Sequence, residues 1–130
     1  MQAVYYRDQN GNEPVNAFIN QLSPERQEEI DYTIDLLNRL GSHDGPLPFP
    51  YSSQVEGQLR ELRCHYGREL YRIFYQRSGN LFILLHIVEK RSAQLSESDI
   101  TTARVRWDDF KARMDAFQRQ PPRAAGHDAP

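Results

Sequence analysis

The chain has little of what marks several large protein classes. It carries one cysteine, Cys64, in 130 residues, so an internal disulfide is impossible, and no zinc spacing such as Cys-x-x-Cys surrounds it. Cys64 therefore reads as a small buried apolar residue. No apolar run reaches the roughly 18 residues a membrane span needs, and the opening MQAVYYRDQNG lacks the basic-then-apolar layout of a signal peptide. A cytoplasmic protein with no membrane partner is expected. His43, His65, His86 and His127 show no ligand spacing and no carboxylate motif accompanies them, so no metal is expected, and no cofactor is called for. Excess positive charge is missing too: the formal net charge of −2 argues by itself against a nucleic-acid binder.

What is present describes one soluble α+β domain. The length suffices for a single core, and 38% apolar with 26% charged residues is ordinary globular composition. The charge is unevenly distributed. Residues 1–50 hold three basic and eight acidic side chains, residues 51–91 seven basic and four acidic, and the remainder six of each. Positive charge is thus concentrated in one contiguous stretch, where a polyanion would dock.

Ala3 to Arg7 is β-branched and aromatic and stops at the turn signal Asp8 to Asn12, which predicts a first strand. Pro14 can open a helix in which Val15, Phe18, Ile19 and Leu22 line one face. Ser23-Pro24 caps a second, with Glu25, Glu28 and Glu29 near its positive end, a stripe of Ile30, Ile34, Leu37 and Leu40, and Gly41 suited to a left-handed end. Residues 41–58, with three prolines and three glycines, read as a long loop. Three strand runs follow, Leu59 to Tyr66, Leu70 to Gln76 and Leu81 to Lys90, joined by Gly-containing turns into an antiparallel meander. The last is apolar on both faces and is expected to be an inner strand. A closing helix starts at a Ser96-x-x-Asp99 capping box and carries Ile100, Ala103, Trp107, Phe110, Met114 and Phe117 on one stripe. The expected domain is 1–118, with 119–130 as a disordered tail.

Leu59-Arg60-Glu61-Leu62-Arg63, then Tyr71-Arg72-Ile73-Phe74-Tyr75, then Leu84 to Arg91 resemble the phage-derived, HigB-like branch of the RelE/ParE toxin superfamily, whose strands typically read L-W-E-L-R, Y-R-I-F-Y and L-L-H-x-F-x-K-K. The Tyr-Tyr-Arg-Asp opening, Pro14-Val15 with Phe18, the Leu37 to Gly41 helix end, Pro50-Tyr51, Asp99-Ile100 and Ala103 extend the likeness over about residues 3–117. The chain departs from the pattern at Arg60, where the family has Trp, and at Ser52, Ser53, Gln54, Gln94 and Ser96, where several cations are absent. The resemblance implies a RelE-like fold, with an N-terminal helical hairpin on a small antiparallel sheet and a C-terminal helix. It also implies a ribosome-dependent messenger-RNA endoribonuclease that needs no metal, neutralised by an antitoxin that often carries a helix-turn-helix domain (HigA-like).

Such cleavage uses the ribose 2′-OH as nucleophile, leaving the protein to move protons and to stabilise charge on the phosphate. Arg63 and Arg72, near the centres of adjacent strands, are the candidate phosphate clamps; the alternative is a pair of sheet arginines bonded to Glu61 or Glu69. His86 is the candidate for proton transfer, or else a hydrogen-bonded core residue. Arg60, His65, Lys90 and Arg91 are candidate RNA-binding residues, the last two at the family's terminal basic pair. By strict alternation Arg63 shares a face with His65, Arg72 with Phe74, and His86 with Phe82, Leu84, Val88 and Lys90. Whether these faces coincide depends on strand register. Two other functions fit the same fold: a ParE-like gyrase inhibitor and a catalytically weak antitoxin-binding module.

Overall fold

Local chemistry accounts for most element ends in the computed structural model, which describes residues 1–41, 43–90, 94–116 and 124–126. The first strand, β1 (Gln2–Tyr5), ends before a loop in which Asp8 Oδ1 accepts from the amides of Asn10 and Asn12, both at 2.9 Å. Helix α1 (Pro14–Asn20) starts on its proline, and α2 (Pro24–Asn38) is capped by Ser23, whose Oγ accepts from the Arg26 amide. Gly41 does not end α2 in a left-handed conformation, contrary to expectation: the helix stops at Asn38 with Arg39 still right-handed. The Met1 ammonium donates to the last helix carbonyl, Asn38 O, at 3.5 Å and to Leu40 O just beyond it at 3.0 Å.

Four strands follow: β2 (Ser52–Glu56), β3 (Leu59–Tyr66), β4 (Glu69–Ser78) and β5 (Leu81–Glu89). All three connections between them are two-residue hairpin turns that open on a glycine at positive φ, Gly57, Gly67 and Gly79. The strand β2 corrects the reading of 41–58 as loop throughout. It lies on the sheet edge, is polar except for Val55, and is bulged between Gln54 and Glu56, all common in edge strands and all obscuring the strand signal.

The sheet runs β1-β5-β4-β3-β2 and is mixed, because β1 pairs parallel with β5 from Gln2↔Leu81 to Tyr5↔Leu84. The expected small antiparallel sheet is therefore corrected to five strands with one parallel pair, and the chain opens with a strand that precedes the two helices. As expected, β5 is an inner strand. Helices α1 and α2 cover one face, burying Val15, Ile19, Ile30, Ile34 and Leu37 against Leu62, Tyr71, Ile73 and Leu84. The last helix, α3 (Glu97–Ala116), covers the other, where Ala103 and Phe110 meet Val4, Phe74, Ile83 and Leu85. Cys64 is buried on the α1–α2 side, and burial pushes its thiol up to about 12. Of the stretch expected as a tail, residues 124–126 are described and lie along β1: Ala124 pairs with Val4, and the Ala125 amide donates to Ala3 O at 2.8 Å. Phe117 lies outside the described residues.

Candidate functional site

The register of β3 on β4 sets Arg63 directly opposite Arg72. Like charges facing each other across a sheet repel, so the pair needs an anion, and β3 supplies one two residues earlier on the same face. Glu61 Oε2 accepts from Arg72 Nε at 2.8 Å, while Oε1 accepts from Arg72 Nη2 at 3.0 Å, Arg63 Nη1 at 2.9 Å and Ser53 Oγ at 3.0 Å. Burial of Glu61 opposes ionisation, but the bonds from Arg72, Arg63 and Ser53 outweigh it and hold the carboxyl below its ordinary value.

The three side chains differ in access. Those of Glu61 and Arg72 are 2% and 4% exposed, that of Arg63 17%. They form the floor of an open cleft of about 560 Å³ whose walls include Val55, Leu95, Ile100 and Phe49. Phe49 is 69% exposed, and the Arg63 guanidinium sits 5.2 Å from the centre of its ring. Arg63 Nε is a buried donor without a hydrogen-bond partner. The sequence-based alternative of sheet arginines bonded to Glu61 thus describes both residues, and Arg63 is the one whose side chain keeps some exposure at the cleft.

His86 is on this face because of a bulge. Phe74 pairs with His86 but Tyr75 with Leu84, so Leu85 is the extra residue of β5. Strict alternation, which groups His86 with Phe82 and Leu84, is corrected: those two pack under α1 and α2, whereas His86 lies beneath α3, its ring 5.7 Å from that of Phe74. Both imidazole nitrogens are engaged. Nε2 donates to Asp99 Oδ1 at 2.9 Å, and Nδ1 accepts from Arg106 Nη1 at 3.2 Å, the same nitrogen that donates to Leu85 O at 2.9 Å. Asp99 also belongs to the expected capping box, accepting from Ser96 Oγ at 2.6 Å while its amide donates to that oxygen at 3.2 Å. Burial raises the Asp99 carboxyl, but the bonds from Ser96 and His86 bring it below its ordinary value. His86 is not among the residues that line the cleft.

The remaining candidates are dispersed. Arg60 alternates onto the α1–α2 face, where Nε reaches Ser52 Oγ at 3.3 Å and Tyr75 OH at 3.4 Å and Nη2 reaches Leu47 O at 3.2 Å. It cannot share a ligand with Arg63. His65 shares the Arg63 face at the exposed end of β3. Lys90 follows β5, its amide donating to Leu70 O at 2.9 Å, and its charge helps to keep Asp99 ionised. Arg91 lies outside the described residues. Sequence reasoning missed Phe49 and Arg106. Neither lies in a periodic pattern that could have placed it; Glu61, by contrast, was marked by its i, i+2 spacing from Arg63.

Fold and site define a class: a small α+β protein with a mixed sheet enclosed by helices on both faces and a cleft floored by guanidinium groups. Residues 17–108, from α1 through most of α3 and including every cleft residue, match the family described as Phage derived protein Gp49-like (DUF891). The chain belongs to that family, which is of the RelE toxin type, is commonly toxin-like in toxin–antitoxin systems and is generally paired with an antitoxin. No curated protein matches the chain. No helix among the described residues is long and apolar enough to cross a membrane.

Proposed function

We propose that the chain is the toxin of a type II toxin–antitoxin pair. In this reading it is a HigB-like endoribonuclease that cuts messenger RNA on the ribosome and is neutralised by a helix-turn-helix antitoxin. The observation that carries the reading is Arg63, a partly exposed guanidinium at the floor of an open cleft, bonded to Glu61 through Nη1. A planar cation suits a phosphate oxygen pair. In the proposed reaction the 2′-OH attacks its own phosphorus, forming a P–O2′ bond and breaking P–O5′, with a 2′,3′-cyclic phosphate and a 5′-hydroxyl as products. Arg63 stabilises the added charge on the phosphate. Arg72, held at both ends of Glu61, is a positioning residue that aims Arg63 through the shared carboxylate. Water in the open cleft takes the 2′-OH proton and gives one to the departing 5′ oxygen, because His86 stands outside the cleft lining with Nε2 on Asp99 and Nδ1 on Arg106.

Engagement of both arginines by Glu61 favours a second reading, an antitoxin-binding module with no catalysis. Mapping of mRNA ends after expression separates the two. The nuclease reading expects cuts within translated messages and a loss of about 10²-fold or more in Arg63→Ala, the scale of removing one charge-stabilising donor. Intact messages from a wild-type chain that still binds its antitoxin would establish the module.

A further inference from the structure

We propose that Phe49 is a nucleobase-stacking platform, so that the cleft takes a single-stranded RNA with one base laid on this ring while a neighbouring phosphate meets Arg63. The inference rests on the reading of the cleft as an RNA site and adds the part of the nucleotide that this reading leaves unassigned. An isolated exposed phenylalanine is unremarkable on a protein surface, but Phe49 differs in three ways. It is held in place: the loop that carries it closes on Pro48 O, which accepts from the Tyr51 and Ser52 amides at 2.9 and 3.1 Å. The Arg63 guanidinium lies over the ring, 5.2 Å from its centre, so cation and aromatic stand together at the cleft. And with 69% of the residue exposed, the ring remains open to a planar ligand at the cleft wall.

The chemistry of that unit is specific to class. An aromatic face beside a partly exposed guanidinium complements a base joined to a phosphodiester. Arg63 satisfies the anion and Phe49 the π-face, in a cleft whose remaining lining is apolar at Val55, Leu95 and Ile100 and polar at Ser53, Gln54 and Gln94. A base paired in a duplex keeps its faces stacked on its neighbours, so only an unpaired, splayed nucleotide can use the ring. Stacking reads no base edge, and therefore this subsite should tolerate all four bases.

The test is equilibrium binding of a short 2′-O-methyl oligoribonucleotide, which cannot be cleaved, to the full chain and to Phe49→Ala, Phe49→Trp and Arg63→Ala. Phe49→Ala should bind about tenfold or more weakly, the scale of one lost base–aromatic stack, and Phe49→Trp should restore the affinity. Moving a single abasic site along the strand should reveal one position at which wild type loses the same factor and Phe49→Ala loses nothing further. If Arg63→Ala weakens binding while Phe49→Ala and the abasic series do not, the stacking platform is refuted and the phosphate reading stands. A wild-type chain that binds the strand neither free nor placed in the messenger channel of a ribosome refutes both.

Discussion

Glu61 is the side chain on which the cleft floor depends. It accepts bonds from both opposed arginines, and with its carboxylate removed two guanidinium groups would face each other partly out of water. Glu61→Gln should therefore destabilise the fold by about 3–5 kcal/mol, as when one partner of a buried ion pair is deleted, a loss that urea unfolding measures directly. A cost below about 1 kcal/mol would show the cluster to be solvated. The same residue sets an acid limit. Its folded-state carboxyl lies below the ordinary 4.5, so the unfolded chain binds the proton first. The stability it supplies is present above pH 4.5 and lost as pH falls through the folded value. Urea midpoints measured from pH 6 down to 3 should fall less steeply in Glu61→Gln than in wild type. Both arginines and their possible bond to Glu61 were legible from strand spacing. What was not legible is which arginine keeps some exposure, because that depends on the depth to which each strand centre is covered.

Two elements carried more than their sequences disclose. In β5 an unbroken apolar run conceals the bulge at Leu85, and a one-residue insertion reverses the face of everything after it, which is how His86 comes under α3. In α3 the capping box was readable from Ser96 and Asp99, but its second duty was not: Asp99 Oδ1 also accepts a hydrogen bond from His86 Nε2, so the helix start is fastened to the sheet at the same point. Ser96→Ala should cost about 1 kcal/mol as a lost N-cap. Asp99→Ala should cost more, since it leaves the His86 N–H without its partner as well. Equal losses in the two variants, by chemical unfolding, would show that the His86 contact contributes nothing.

At the scale of the whole molecule, helices on both faces and a five-stranded sheet leave the two sheet edges as the places where the fold needs protection. One edge is β2, polar and bulged. The other is β1, along which residues 124–126 lie, with Ala125 fully buried and its carbonyl accepting from Gln2 Nε2 at 3.0 Å and Asn38 Nδ2 at 3.2 Å. Composition reads this stretch as tail because alanine and glycine carry no periodic signal, yet the smallness is what the site demands: a Cβ on Gly126 would stand 2.5 Å from Asp35 Oδ1. Deleting residues 124–130 should lower stability by about 1–2 kcal/mol through lost hydrogen bonds and uncovered apolar area. It should also promote self-association through the bared edge, visible in light scattering. A truncated chain as stable and as monomeric as the intact one would contradict that assignment.

The parallel pairing of β1 with β5 also has a temporal side. During synthesis β1 emerges well before its ladder partners, residues 81–84, so it must wait for them before it can be zipped into place. Early fragments can form helices and not the finished sheet, and the cleft floor, built from residues 61, 63 and 72, gains its overlying helix only later still. The molecule should therefore assemble late and in one concerted event, slowly for its size because its defining contacts join distant parts of the chain. A half-made copy would be without the apparatus of the whole.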